Sequence, residues 1–150
     1  MAIFRIGLVG AGRMGRTHMR ALADSDVLRV VAVAEPLEAA RMAVDAPGIS
    51  VHPDLAGMLR AGGVDGVLIA SSSDSHLAGI AELAAAGIPI LCEKPCGLSS
   101  RQGREAAALA AKAKVPLQVA YWRRFVPSLK KLKSRIVGGE MGQIYLAACY

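Results

Sequence analysis

Aromatic side chains are scarce in this sequence: 150 residues hold one Trp, three Tyr and two Phe. The scarcity matters because the chain is basic, with a formal net charge of +6. Much of the excess lies in RRFVPSLKKLKSR, Arg123 to Arg135. Basic clusters neutralise phosphate backbones, so a nucleic-acid partner has to be weighed. No aromatic-rich or helix-turn-helix pattern accompanies the charge, which reads instead as a solvated helix face plus a few site arginines. Nucleic acid is not expected as a partner, whereas an anionic cofactor would gain from the positive potential.

Cysteine is also sparse. Three residues, an odd number, in a chain with 53% hydrophobic content argue against a disulfide framework. Cys92 and Cys96 lack zinc-site spacing, and no second pair answers them. Cys92 is expected as a buried strand residue, Cys96 as an oxidation-sensitive loop residue and Cys149 in a terminal strand. No apolar run approaches the roughly eighteen residues needed to span a bilayer. Met1 leads straight into AIFRIGLVG without a basic n-region, so no signal peptide is expected and the cytoplasm is the default. Internal repeats and low-complexity segments are absent. The length suits one compact domain.

What is present is an alternation of short apolar runs and helical patterns. Strands are expected at 3–9, 28–34, 49–51, 65–70, 88–94 and 116–122. The intervening helices begin with MGRTHMRALAD, which places Met14, His18 and Leu22 on one side. A second helix opens with Pro36 in its first turn, a third ends at Gly62 and Gly63, and a later one takes Ser99 or Ser100 as N-cap. Near-continuous apolar strands between helices indicate a doubly wound parallel sheet covered on both faces, a Rossmann-type α/β fold. That domain is expected over 1–120. Residues 121–150 then supply a strand end, a helix and a fresh strand, GQIYLAACY, so the chain reads as the first domain of something longer.

GLVGAGRMGRTH carries Gly10, Gly12 and Gly15 in a G-x-G-x-x-G that follows a strand and opens a helix. Gly10 permits the tight turn, Gly12 lets backbone approach a pyrophosphate, and Gly15 lets helix and strand pack closely. With Arg13 and Met14 between them, they are the expected grip on a dinucleotide, at a helix start whose N–H groups favour anions. The second strand ends at Glu35, about twenty residues on, where an acid is expected to hold the ribose 2′-OH. That favours NAD over NADP, although Arg41, a turn further on, keeps NADP open. S-adenosylmethionine sites use a similar turn and acid, so a transferase is carried as a rival, as is a dinucleotide-binding protein without chemistry.

In IPILCEKPCG, Lys94 leaves the fifth strand pinned between Glu93 and Pro95. Proline holds the preceding residue extended, so the ammonium is aimed. Partial burial would disfavour its charged form and make it a candidate proton donor or acceptor for an alcohol oxygen.

GLVGAGRMG, AVAEPLEAAR, SSSDSH, CEKP and VAYWRRF occur in an order that resembles the Gfo/Idh/MocA oxidoreductase family across the whole chain, which would be its cofactor domain, and RRF leans toward the inositol dehydrogenase branch. The resemblance implies NAD-dependent oxidation of a polyol or sugar alcohol, with myo-inositol the leading substrate and a homo-oligomeric full-length protein. It implies that Lys94 assists proton transfer at the substrate hydroxyl and that Glu93 lies beside the nicotinamide ribose. Ser71 and Ser72 would line the cofactor, with His76 at the next helix start near it, and Arg123 or Arg124 would reach the nicotinamide end or the substrate. Where relatives often carry Thr-Pro-Asn, this chain has Ser71-Ser72-Ser73. The family's catalytic histidine, with an aspartate a helical turn before it, is expected beyond Tyr150, leaving this chain to bind cofactor with little turnover. His18 and His52 receive no role.

Overall fold

The computed structural model describes residues 2–44 and 46–148. Strands and helices alternate as β1 (Phe4–Val9), α1 (Arg13–Leu22), β2 (Leu28–Ala34), α2 (Glu38–Met42), β3 (Ser50–His52), α3 (Leu55–Ala61), β4 (Gly66–Ile69), α4 (His76–Ala85), β5 (Ile90–Cys92), α5 (Ser100–Ala113), β6 (Leu117–Val119) and α6 (Pro127–Val137). The chain divides into two units, Met1–Ala120 and Tyr121–Tyr150.

In the first unit six strands form one parallel sheet in the order β3-β2-β1-β4-β5-β6. One face packs Ile69, Cys92 and Ile90 against Met58 of α3, Ile80 and Leu83 of α4 and Ala106 of α5. The other packs Leu8, Val30, Val33 and Leu68 against Met19 and Leu22 of α1. A strand buried on both faces has no polar side to present, which is why GVLI of β4 is apolar and buried throughout. The winding reverses between β1 and β4, so the crevice for ligands opens there, beyond the carboxyl ends of the strands.

Local chemistry places the helices. Asp54 caps α3 by accepting from the Gly57 N–H at 2.6 Å, and Ser99 caps α5 by accepting from Gln102 N–H at 3.2 Å. Arg5 grips Asp65 through Nη2 at 2.7 Å and Nε at 3.1 Å, tying β1 to the entry of β4. These hydrogen bonds hold the Asp65 carboxyl down at about 2.

Three expectations are corrected. Helix α2 starts at Glu38 with Leu37 at its N-cap, so Pro36 precedes the helix rather than sitting in its first turn. Strand β6 stops at Val119 because its neighbour β5 ends at Cys92, the residue paired with it. The following residues Trp122–Phe125 instead form a 3-10 turn. No strand forms over 142–148, since an extended segment becomes a strand only when a neighbour pairs its N–H and C=O groups, and none does so among the described residues. Cys149 lies outside the described residues. Within the second unit, Arg123 stacks on Trp122, Arg124 on Tyr121 and Lys130 on Phe125, with 5.3–5.6 Å from cation to ring centre. Among the described residues no helix is long and apolar enough to cross a membrane.

Candidate functional site

Beyond the carboxyl end of β1 the backbone turns through Gly10 at φ 94°, and its N–H donates to Ala34 O at 2.8 Å. A Cβ on Gly10 would stand 2.7 Å from the backbone N and Cα of Ser71, so the loops after β1 and β4 touch only because no side chain separates them. A Cβ on Gly15 would run into the Gly10 carbonyl oxygen. Gly12 differs from both: nothing lies within 4 Å of its Cβ position. The space above it is a cleft of about 660 Å³, whose walls include Gly10, Gly12, Arg13, Met14, Glu35, Ser71 and Ser72.

The start of α1 opens into that cleft. Its N-cap is Gly12, no side chain caps it, and its first turn carries no acid. Free N–H groups and the positive dipole end are thus presented to a ligand, with Arg13 alongside, which suits a phosphate.

Glu35 follows β2 and is 6% exposed. One carboxylate oxygen accepts from Ala11 N–H at 2.7 Å and the other from Leu37 N–H at 2.9 Å. A carboxylate oxygen has two lone pairs, so each retains acceptor capacity for a ribose hydroxyl. Glu35 therefore does two things: it stiffens the glycine turn and offers an acceptor to the cleft. Asp54 and Glu82, at the N-cap of α3 and on α4, line the same cleft. Three acids disfavour an added phosphate there. Arg41, the residue that keeps NADP open in the sequence, spends Nη1 on the carbonyls of Glu35 and Pro36 at 2.9 and 2.6 Å.

The serine turn after β4 is internally bonded. Ser75 Oγ donates to Ser72 O at 2.8 Å, so at the 2.7 Å contact between Ser75 and Ser71 it is Ser71 that donates. The Ser71 oxygen keeps its acceptor capacity toward the cleft. The Ser72 hydroxyl lowers the Asp74 carboxyl below the usual carboxylate range.

His76 begins α4 as expected, but it is 1% exposed and lies beneath the turn rather than on the cleft wall. Nδ1 sits 2.8 Å from Pro95 O and Nε2 3.1 Å from Ser71 O, so both ring nitrogens face protein carbonyls. The ring therefore lies behind the serine turn, between the loop after β4 and the loop after β5.

Lys94 emerges from the end of β5 and is exposed rather than partly buried. Its backbone is held on both sides. Glu93 N–H donates to Ile69 O at 2.8 Å, the Lys94 N–H donates to Glu93 Oε2 at 3.1 Å, and the Pro95 carbonyl faces His76. The Lys94–Pro95 bond is cis. Glu93 itself is 7% exposed, and its Oε1 lies 2.8 Å from Nε2 of His18 on α1. Burial pushes the Cys92 thiol up to about 12, which leaves it a core residue, while Cys96 is half-buried.

The structure thus gathers Gly10, Gly12, Arg13, Met14, Glu35, Ser71 and Ser72 around one cleft, with Gly15 packed beneath the turn. Glu93 and Lys94 stand at the same edge, just beyond the end of β5. Arg123 and Arg124 belong to the second unit. Sequence reasoning missed His18, whose partner lies 75 residues away, and the cleft-lining Asp54 and Glu82. Only Asp54 had a local signal, as the cap before α3.

The profile of an oxidoreductase family with an NAD-binding Rossmann fold matches residues 4–121. The chain is 49% identical over 150 residues to the rhizopine catabolism protein MocA of Rhizobium meliloti, covering 100% of this chain and 47% of that protein. It is 34% identical over 141 residues to an inositol 2-dehydrogenase of Rhizobium meliloti strain 1021, covering 93% of this chain and 42% of that one. Among solved structures it matches the WlbA dehydrogenase of Bordetella pertussis in complex with NADH and UDP-GlcNAcA, with a TM-score of 0.90, 30% identity and coverage of 95% and 42%. It also matches scyllo-inositol dehydrogenase of Lactobacillus casei with bound NAD(H) and scyllo-inositol, with a TM-score of 0.84, 27% identity and coverage of 95% and 43%. The chain spans a little under half the length of these relatives.

Proposed function

The chain belongs to the Gfo/Idh/MocA oxidoreductase family, with its NAD-binding Rossmann fold, and from that premise we propose that it is the cofactor half of a dehydrogenase oxidising a secondary alcohol on a polyol or sugar-like ring. The observation that carries this reading is an order along one sheet edge. Glu35 stands at the end of β2, the glycine turn at β1, the serine turn at β4 and Lys94 at β5, and these strands are consecutive neighbours. Three strand spacings of roughly 4.8 Å give about 14 Å of edge along which an extended dinucleotide would lie.

In this reading the nicotinamide, when bound, supplies the hydride acceptor. Gly12 and the open N–H groups of α1 hold the pyrophosphate, Glu35 accepts from the adenosine ribose, and Ser71 accepts from a hydroxyl nearer the middle. Glu93 stands at the nicotinamide ribose. Lys94 holds a proton at the alcohol oxygen, moving it as the carbinol carbon is oxidised. The companion histidine is assigned to the remainder of the protein.

An inositol is the leading substrate, on the strength of the inositol dehydrogenases among the relatives. A second reading, favoured by the higher identity to MocA, is a compound related to the rhizopine that MocA helps to break down. Cytoplasmic residence and homo-oligomeric assembly belong to the same proposal. The family match lends no support to an S-adenosylmethionine-dependent transferase.

The cofactor assignment is tested by Glu35→Ser. Removing the carboxylate should weaken NAD and relieve the repulsion of a 2′-phosphate, shifting the NAD-to-NADP affinity ratio at least tenfold toward NADP, or about 1.4 kcal/mol. Titration by nicotinamide fluorescence with NADH and NADPH reads this directly. An unchanged ratio would remove Glu35 from cofactor selection, and oxidation of no polyol by the complete enzyme would refute the dehydrogenase reading.

A further inference from the structure

Resting on the reading of Lys94 above, we propose that His18 is a positioning residue for that lysine, acting through Glu93. His18 lies in the second turn of α1, the helix whose start opens into the cleft. Its Nε2 reaches 2.8 Å to Glu93 Oε1, with side-chain exposures of 24% for His18 and 10% for Glu93. The other Glu93 oxygen accepts the amide N–H of Lys94 itself at 3.1 Å. A carboxylate this sheltered is stable only while its oxygens have donors. Here the donors are one ring from the phosphate-binding helix and the backbone of the proposed proton carrier.

The consequence is geometric. α1 packs on the β1 and β2 side of the reversal point, and Lys94 leaves β5 on the other side. The His18–Glu93 contact spans that gap and sets the helix that would hold the phosphates in register with the strand end that carries the lysine. On the far side of Lys94, His76 holds the Pro95 carbonyl. The lysine's backbone therefore sits between two histidine anchors, one through its predecessor's carboxylate and one through its successor's carbonyl. Without the His18 ring, Glu93 turns toward water and the Lys94 amide loses its fixed acceptor. The lysine remains, no longer aimed.

The test is a double-mutant cycle in the complete enzyme: wild type, His18→Ala, His18→Gln, Lys94→Ala and the His18→Ala/Lys94→Ala pair, each with kcat, KM, NADH affinity and Tm. His18→Ala is expected to lower kcat by about 10- to 100-fold, as small misplacements of a reacting group do, with KM for the alcohol little moved and Tm lowered by a few degrees as Glu93 gives up a donor and turns to water. His18→Gln, whose amide offers a donor to the same oxygen, should recover most of that loss. In the Lys94→Ala background His18→Ala should cost nothing further, because a group that acts through the lysine has nothing left to aim. An unaffected kcat in His18→Ala, an equal loss in both backgrounds, or a glutamine variant as poor as alanine with a lowered Tm would each overturn the proposal. Full turnover in Lys94→Ala would sink the lysine reading and this one with it, whereas loss there beside an intact His18→Ala would sink this one alone. In the 150-residue chain the ring nitrogen resonances of His18 should shift on Glu93→Gln, and no shift would also count against it.

Discussion

Replacing Gly12 with alanine should weaken NAD binding by about 100-fold, some 2.7 kcal/mol, while leaving Tm where it was. The two halves of that expectation have different causes. Nothing in the protein lies within 4 Å of the new methyl group, so the fold has no reason to object. The methyl group points into the cleft at the uncapped start of α1, where a pyrophosphate needs the bare backbone. Gly10→Ala and Gly15→Ala should behave in the opposite manner. At Gly10 a side chain meets Ser71 backbone at 2.7 Å with φ at 94°, and at Gly15 it meets the Gly10 carbonyl. Each should cost about 2 kcal/mol or more, roughly 4–8 °C in a chain of this size. Thermal melts with and without NAD separate the cases. A Gly12→Ala protein that binds NAD normally would mean that the cleft is not the phosphate site.

Lys94→Ala should depress kcat of the complete enzyme by about 100- to 10,000-fold, the range a positioned proton-transfer group contributes. Binding of NADH should change little, because Lys94 lies outside the walls of the cleft proposed for the adenosine and phosphates. Stability should also hold, since the side chain is exposed and its backbone bonds do not depend on it. Lys94→Arg sharpens the point. Arginine keeps the positive charge but does not give up its proton in the working range. An arginine variant as dead as alanine assigns the loss to proton transfer, and one with near-normal turnover would reassign Lys94 to electrostatics. Wild-type turnover in Lys94→Ala would remove it from the reaction altogether.

The parts of the site that could be read from sequence are those whose partners are near in the chain. The glycine turn packs its pattern into residues 10–15, and Gly15 answers to Gly10 within it, whereas the close approach of Ser71 to Gly10 comes from the loop after β4 and has no local sign. Lys94 stood out because it interrupts an apolar strand next to a proline. Glu35 is legible as an acid at a strand end, but its grip on the Ala11 amide is not, because that depends on how two loops meet. His18 was read only as one face of a helix, and the carboxylate that gives it meaning is 75 residues on and two strands across the sheet from β1. For His76 the position at a helix start is visible in the sequence, and the two carbonyls that enclose it are not. Parallel pairing follows from buried apolar runs, whereas strand order and strand ends do not, because β6 and the segment 142–148 extend only as far as a neighbour pairs them.

A crystal structure of the chain with NAD tests the central claim most directly. The nucleotide should lie along the carboxyl edge with its pyrophosphate over Gly12 and the start of α1, its adenosine ribose at Glu35 and its nicotinamide toward the end of β5 that bears Lys94. A nucleotide seated elsewhere, or one running the other way with its nicotinamide at β2, would contradict it.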